Sequence, residues 1–355
     1  MDWALYCRVI DNFGDIGVGW RLAADLAGRG EHVRLFVDDA SALAWMAPEG
    51  AFGVEVGHWN DARATEADVV VELFGGGVPD RVAESIANAS HPPVSVNLEH
   101  LTAEGYARRS HRLPSPRPAA QGRLTTTWFF YPGFEEGSGG LLREPGLLTQ
   151  RASFDADTWL ASMNIEARRE ERRVSLFGYA NSALGPLVDA LAASPTLLLL
   201  APGAASEAAE ALLGPKLQRG ALRAIRLPFV SQAGFDRLLW SCDLNLVRGE
   251  DSFVRSLWAG VPFVWQLYPQ RDGAHRAKLE AFLGLFLRAA SPLLSQPMHR
   301  VFEAWNGADG THAFELLNEP AIARAWLRHS SEWCRNQATL PDLTTQLIGF
   351  AASRR

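Results

Sequence analysis

The amino-acid sequence predicts an α/β protein made of two halves, each built on a parallel sheet. Short apolar runs typical of buried strands alternate with segments of helical periodicity from Trp3 to Leu98. The alternation begins again at Arg173 and continues to Leu267. Glycine-rich or acidic loops follow several of these strands, which is where parallel α/β sheets bind ligands. These three observations favour a two-domain enzyme with a cleft between its halves.

The first half starts with an apolar strand and a helix whose periodicity ends at Gly28 and Gly30. Further apolar or β-branched runs, separated by short periodic segments, indicate the remaining elements. The predicted strands are residues 3–10, 33–37, 54–56, 68–74, 93–98 and 124–131, and the helices are 21–27, 41–46 and 80–89. Proline and basic residues predict a surface loop over 110–118. The five glycines and two prolines of residues 132–146 predict an ordered loop leading to the domain boundary.

The second half repeats the pattern of strand and helix. Its predicted strands are residues 173–177, 196–201, 222–227, 244–247 and 262–267, with helices at 183–193, 205–213, 235–241 and 253–259. After Gly273 the chain is predicted to be mostly helical. We place the domains at residues 1–152 and 153–337, and expect a C-terminal helix, about 338–355, to pack back on the first domain.

Composition excludes several function classes. The chain has 355 residues, 47% of them hydrophobic, and a formal net charge of −6, which disfavours a general nucleic-acid binder. The three cysteines are far apart in sequence, so they predict neither a metal site nor a disulfide framework. The N-terminus carries Asp2 where a signal peptide needs a base, and no apolar run approaches the length of a membrane span. We therefore expect a soluble, cytoplasmic protein that binds neither nucleic acid nor membrane.

The loop after the first strand is rich in glycine and acid. Gly14, Gly17 and Gly19 have the spacing G-x-x-G-x-G, which is not the dinucleotide fingerprint. Asp11 and Asp15 flank the first glycine and would repel a phosphate. Carboxylates there suit proton abstraction or the binding of a cation. The alternative is a plain turn from strand to helix with solvated aspartates.

A second polar run, residues 248–252 (RGEDS), follows a buried strand of the second half. Asp251 or Ser252 could simply cap the next helix, but capping does not account for Arg248 and Glu250. Backbone N–H groups of the first helical turn could hold a diphosphate, with Arg248 adding a bidentate charge and Ser252 a hydroxyl. Glu250 could balance an arginine or shape a sugar site.

Aromatic residues follow two other strands of the second half. Phe229 could stack on a base and Gln232 could read a base edge, although core packing is an alternative for Phe229. Tyr179 could reach a phosphate or sugar, or pack between domains.

Taken together, the motifs resemble the EarP family of protein-arginine rhamnosyltransferases. The resemblance rests on residues 11–17 (DNFGDIG), 248–255 (RGEDSFVR) and 258–260 (WAG), with further matches at 132–134, 139–144 and 228–229. It runs from the first strand to about Gln270. The chain departs from the expected pattern at Gly76 and His100, which bears on the fit of the acceptor more than on the chemistry.

The resemblance implies a GT-B architecture, with two Rossmann-like domains facing across a cleft and no metal requirement. It implies dTDP-β-L-rhamnose as donor, an arginine of translation elongation factor P as acceptor, and inversion at the anomeric carbon. It implies that Asp11, Asp15 and Glu250 are catalytic, with Asp15 as our hypothesis for the general base. The residues assigned to donor binding are Phe13, Gly14, Gly17, Tyr179, Phe229, Gln232, Arg248, Asp251 and Ser252.

Three other functions compete with this one. The first is a GT-B enzyme that uses another nucleotide sugar or acceptor. The second is a nicotinamide-dependent oxidoreductase, disfavoured because the first loop lacks G-x-G-x-x-G and contains acids. The third is a non-catalytic module that only binds elongation factor P, for which the aspartates would be dispensable.

Overall fold

A computed structural model describes residues 1–10, 13–62, 66–118, 124–270, 273–308, 310 and 312–355. The chain divides into two compact units, residues 1–145 with 338–355, and residues 146–337. The strands are β1 (Asp2–Cys7), β2 (His32–Val37), β3 (Val54–His58), β4 (Val69–Leu73), β5 (Val94–Leu98), β6 (Pro114–Pro118), β7 (Leu124–Phe130), β8 (Arg172–Leu176), β9 (Thr196–Leu200), β10 (Gln218–Arg219), β11 (Leu222–Arg226), β12 (Leu244–Arg248) and β13 (Phe263–Gln266).

The α-helices of the described residues alternate with these strands and then dominate the end of the chain. They are α1 (Gly14–Gly28), α2 (Leu43–Met46), α3 (Asp80–Asn88), α4 (Gly105–Ser110), α5 (Leu147–Ala152), α6 (Ala156–Ser162), α7 (Leu184–Leu191), α8 (Ala204–Leu213), α9 (Gln232–Trp240), α10 (Asp251–Ala259), α11 (Ala274–Phe286), α12 (Pro292–Trp305), α13 (Pro320–Ala338) and α14 (Leu343–Ala352). Short 3-10 turns span Trp59–Asp61 and Ala313–Asn318.

The first unit is organised around a sheet with strand order β3-β2-β1-β4-β5-β7-β6 in its described part. All neighbours are parallel except the edge pair β6 and β7. Parallel strands bring their carboxyl ends to one edge, so the loops after β1, β4 and β5 lie along the same side of the unit.

The C-terminal helix α14 completes the core of this first unit. Leu347 and Phe350 are buried in the same apolar cluster as Leu5 of β1 and Leu22 of α1. Arg29, after α1, donates to Asp342 Oδ1 at 2.8 Å and so ties the start of α14 to the end of α1. The last residues of the chain therefore belong to the domain formed by the first ones.

The second unit holds a sheet with strand order β10-β11-β9-β8-β12-β13 in its described part. Its strands are parallel except β10. Helix α10 is buried along most of its length, and Phe253 stacks on Trp265 of β13 with ring centroids 3.9 Å apart. This packing fixes α10, and with it the loop after β12, against the sheet.

The predicted α/β class with two parallel sheets is confirmed, but several boundaries were wrong. Strand β1 ends at Cys7, and α1 begins at Gly14 instead of Arg21. The glycines of this segment are weak helix formers, which is why the sequence favoured a loop. Burial of Ile16 against the sheet outweighs that preference.

Other elements were not predicted from the sequence. Residues 110–118 are not all loop, because β6 pairs antiparallel with β7 at the edge of the sheet, a position that tolerates proline. Helices α4, α5 and α6 were also missed, being short and weakly periodic. The second unit begins just before α5, whose Arg151 donates to the carbonyl of Trp258 at 2.7 Å, whereas the sequence placed the boundary after residue 152.

No helix in the described part of the chain is long and apolar enough to cross a lipid bilayer.

We expect Leu347→Ala to lower the free energy of unfolding by about 2–5 kcal/mol, because Leu347 is fully buried and its removal leaves a cavity. The measurement is urea unfolding of the full chain. Leu113→Ala in the same unit is the control, since Leu113 is half exposed and should change stability little. Equal, small effects of the two variants would contradict the assignment of α14 to this core.

Candidate active site

In the first unit, side-chain carboxylates hold the backbone that leaves β1. Asp38 Oδ1 accepts from the N–H of Val9 at 2.9 Å, and Asp15 Oδ2 accepts from the N–H of Ile10 at 2.8 Å. Asp15 lies in the first turn of α1 and is 8% exposed. One predicted catalytic residue, Asp11, lies outside the described residues.

Asp15 is held in place by its surroundings. It sits near the positive end of the α1 dipole and accepts a backbone hydrogen bond. Its charge also reaches Cys7: burial first, then Asp15 and Asp38, raise the pKa of that thiol well above its usual range. Asp15 is therefore a fixed, largely buried carboxylate and not the solvated aspartate of a plain turn.

The other residues predicted for this loop lie at or inside the helix. Phe13 immediately precedes α1 and packs edge-on against Trp45 with centroids 5.1 Å apart. Gly14 is the first helical residue, and Gly17 donates its N–H to the carbonyl of Phe13 at 3.0 Å. The prediction of a glycine loop was wrong here, because these glycines form the first turns of a helix.

The loop after β4 is held by the neighbouring strand. Gly75 and Gly77 have φ of 67° and 73°, and the N–H of Gly75 donates to Asn97 Oδ1 at 3.1 Å. Just beyond β5, His100 stacks on Phe74 with ring centroids 4.6 Å apart. Residues 75–77, all glycine, therefore form an ordered turn.

In the second unit, Arg248 ends β12 against two aromatic rings. Its guanidinium carbon lies 4.8 Å from the ring centroid of Phe177 and 4.4 Å from that of Tyr179. Cation–π contact of this kind holds a guanidinium in place. An arginine fixed in this way suits the binding of an anion.

The loop that carries Tyr179 is fixed by a residue the sequence did not single out. Gln266 of β13 is 3% exposed, and its Oε1 accepts from the N–H of Tyr179 at 2.8 Å. A Cβ at Gly178 would come within 2.8 Å of the same Oε1, so a larger residue there would displace the Gln266 side chain. The Tyr179 ring also packs edge-on against Tyr268 with centroids 5.5 Å apart.

The capping alternative for α10 was wrong. Its N-cap is Glu250, with no side-chain capping bond, and Asp251 and Ser252 are the first helical residues. The hydroxyl of Ser252 donates to the carbonyl of Arg248 and accepts from its N–H at 3.2 Å. Ser252 therefore braces the backbone of Arg248.

Glu250 is paired within the second unit. Lys278 of α11 donates to Glu250 Oε1 at 2.9 Å, and both side chains are largely buried. Lys278 was not predicted from the sequence, because nothing in its local pattern distinguishes it from a surface lysine. This pair means that the charge of Glu250 is already partly balanced.

The loop before α9 carries the two residues predicted to recognise a base. Phe229 is 52% exposed, which rules out core packing as its role. Ser231 caps α9, accepting from the N–H of Gly234 at 3.1 Å, and Gln232 is the first helical residue. An exposed aromatic beside an amide at a helix start is suited to holding a planar, polar ligand.

A buried ion pair joins α9 to α10. Arg255 is 2% exposed and donates from Nε and Nη2 to the two carboxylate oxygens of Asp236 at 2.8 and 2.7 Å. Asp236 lies one turn after Gln232, and Arg255 one turn after Asp251. The pair therefore fixes the spacing between the starts of the two helices.

One group in the described part of the chain could offer three metal ligands, namely Glu280, His299 and Glu303. Both ring nitrogens of His299 lie near a carboxylate, at 3.1 Å from Glu280 and 3.0 Å from Glu303. Burial lowers the pKa of His299, but the hydrogen bonds to Glu303 and Glu280 outweigh it and raise the pKa above its usual value. The arrangement is that of an ion-paired histidine.

Known proteins resemble this chain over nearly its whole length. The family model described as Elongation-Factor P (EF-P) rhamnosyltransferase EarP matches residues 3–352. A protein-arginine rhamnosyltransferase of Pseudomonas aeruginosa is 40% identical, with 99% of this chain and 98% of that protein covered.

Solved structures agree with the fold. One that describes the structural basis for EarP-mediated arginine glycosylation of translation elongation factor EF-P has a TM-score of 0.70 at 32% identity, covering 99% of both chains. MurG of Acinetobacter baumannii has a TM-score of 0.55 at 13% identity over 99% of both chains, a likeness of fold alone. These neighbours are GT-B glycosyltransferases, and the GT-B prediction is confirmed.

We expect Arg255→Met to lower the free energy of unfolding by about 3–5 kcal/mol, because Asp236 would be left as a buried, unpaired charge. The double variant Asp236→Leu with Arg255→Met should recover most of the loss. Chemical denaturation measures both. Arg219→Met, which breaks the exposed pair with Asp189, is the control and should change little. A single variant as stable as the wild type would contradict the pairing.

Proposed function

Because the chain belongs to the EarP family of rhamnosyltransferases, we propose that it transfers L-rhamnose from dTDP-β-L-rhamnose to an arginine side chain of translation elongation factor P. The observation that carries the proposal is the family match over nearly the whole chain. The site geometry supports it, since the first unit offers a fixed carboxylate and the second a fixed guanidinium. In this proposal the acceptor is a cation and the donor an anion.

The acceptor chemistry explains the need for a carboxylate. A guanidinium is protonated and delocalised, so its nitrogen is a poor nucleophile. As a nitrogen attacks C1 of the rhamnose, the C1–O bond to the diphosphate breaks and the nitrogen must lose a proton. In our proposal Asp15 takes that proton while Asp11 orients the guanidinium. Attack opposite the leaving group inverts the anomeric carbon.

The donor chemistry explains the residues of the second unit. The departing diphosphate gains charge as the C1–O bond breaks. We propose that Arg248 and the N-terminal amides of α10, starting at Asp251, stabilise that charge in place of a metal ion. Ser252 supports Arg248, and Tyr179 packs on it. We assign Phe229 and Gln232 to the thymine base.

Glu250 is the third catalytic residue of the proposal. It assists either on the arginine or on the donor sugar, with its charge tempered by Lys278. We also retain the assignment of Phe13, Gly14 and Gly17 to the donor, at the start of α1.

Mass spectrometry of purified elongation factor P, incubated with this protein and dTDP-β-L-rhamnose, tests the function directly. We expect the mass of one deoxyhexose on one arginine, with equal yield in EDTA. A yield that depends on an added divalent ion would overturn the metal-free part. No transfer from dTDP-rhamnose but transfer from another nucleotide sugar would favour a different GT-B donor. Binding of elongation factor P without any transfer would favour the non-catalytic alternative.

We expect Asp15→Asn to lower the turnover number by about 10²- to 10⁴-fold, because it removes the base from the reaction. Asparagine is the same size, and its Oδ1 can still accept from the N–H of Ile10, so the fold should persist. Calorimetric titration with dTDP should give unchanged affinity. Near-normal turnover of this variant would exclude Asp15 as the base, as would lost dTDP binding by a folded protein.

A further inference from the structure

A second carboxylate, Glu99, lies at the same edge of the first sheet as Asp15. It directly follows β5, and its N–H donates to the carbonyl of Phe130 at 2.9 Å. Strand β5 is separated from β1 by β4 alone. Neighbouring strands are about 4.8 Å apart, so the end of β5 is about 10 Å from the end of β1. One polypeptide segment bound at this edge could reach both carboxylates.

The Glu99 side chain is fixed by Asn97. Asn97 is buried; its Nδ2 donates to Glu99 Oε1 at 2.7 Å, while its Oδ1 accepts from the N–H of Gly75. A single amide thus links the glycine turn after β4 to the carboxylate after β5. The Glu99 side chain is therefore held in one position, as expected of a binding group and not of a solvated side chain.

Glu99 has no direct ion-pair partner among the described residues, although the charges of His100 and Arg117 reach it. Burial raises the pKa of its carboxyl above the usual value and Glu72 adds to the rise, although His100, Asn97 and Arg117 oppose it. A partly buried carboxylate whose side-chain hydrogen-bond partner is a neutral amide would gain from a cation in direct contact.

One tyrosine neighbours this carboxylate, and a second packs on the first. Because Leu98 pairs with Phe130 across β5 and β7, the next residues on each strand, Glu99 and Tyr131, are neighbours. Burial, then Glu99 and Tyr106, raise the pKa of Tyr131 to about 12, so its phenol stays protonated. Tyr106, 44% exposed, packs edge-on against Tyr131 with centroids 5.8 Å apart.

We propose that Glu99, Tyr131 and Tyr106 form a second acceptor site, which binds a cationic side chain of the protein acceptor. A carboxylate provides the charge-assisted hydrogen bond and the rings provide cation–π contact, the combination suited to arginine or lysine. The inference rests on the proposed function, because it takes the acceptor to be a protein. The bound cation is a basic residue near the arginine that is modified.

The test is a pair of titrations with elongation factor P and with dTDP, made on the wild type and on Glu99→Gln. We expect the affinity for elongation factor P to fall about tenfold, the effect of losing about 1.4 kcal/mol, with dTDP affinity unchanged. Glu136→Gln, the same change on an exposed residue of the same unit, is the control and should leave both affinities unchanged. Unchanged affinity of Glu99→Gln for the acceptor would overturn the proposal.

A double-mutant cycle identifies the cation. Elongation factor P variants that neutralise each basic residue near the target arginine are titrated against both enzymes. The residue that contacts Glu99 is the one whose removal abolishes the effect of Glu99→Gln. If no basic residue of the acceptor couples to Glu99, the proposal fails.

Tyr131→Leu and Tyr131→Phe test whether the aromatic ring of Tyr131 contributes to acceptor binding. Leucine removes the aromatic face and should weaken acceptor binding, whereas phenylalanine keeps the ring and should bind nearly as the wild type. Equal behaviour of the two variants would argue against a cation on the ring. If wild-type protein neither binds nor modifies elongation factor P, it is the proposed function that fails, before the second acceptor site is in question.

Discussion

Backbone N–H groups at the ends of parallel strands need partners, and this constraint shapes both candidate sites. A strand that ends at a ligand-binding edge leaves N–H groups without ladder bonds, and burying them unpaired is costly. In the first unit Asp15 pairs the N–H of Ile10, and in the second Gln266 pairs that of Tyr179. Asn97 does the same for Gly75. The side chains that satisfy the loops are thereby held rigid, which is what binding and proton transfer at a defined position require.

The sequence predicted the sheets better than the edges where the sites lie. Buried parallel strands such as β4 and β9 are continuous apolar runs, which can be recognised in the sequence without knowing which strands pair with them. The start of α1 could not be predicted from local sequence. Gly14, Gly17 and Gly19 argue locally for a loop, and only packing of Ile16 against β1 reveals a helix. Strand β6 was missed for a similar reason, since its prolines are acceptable only because it lies at an edge.

The site residues likewise differ in whether they have a local sequence signal. Arg248 and Glu250 could be predicted because they stand in one short motif between a strand and a helix. Gln266 and Lys278 could not, because each acts through a partner that is distant in sequence. Within the motif, the hydroxyl of Ser252 bonds to the backbone of Arg248, a role that neither the predicted diphosphate contact nor the capping alternative described. The sequence thus pointed to candidate reactive groups more readily than to the residues that position them.

The buried pair of Asp236 and Arg255 shows what positioning adds. A buried ion pair is costly to desolvate, and apolar residues of similar size often stabilise a protein as well or better. Stability is therefore a weak reason for its presence. Geometry is a stronger one, because two parallel N–H···O bonds define both distance and orientation, whereas apolar contacts allow sliding. Gln232 and Asp251 each lie one turn before a member of the pair. The ion pair therefore fixes the positions of the two helix starts relative to each other. Under the proposed function the same logic applies to Arg248 on its aromatic rings, because a charge that stabilises a leaving group must already be in place when the bond breaks.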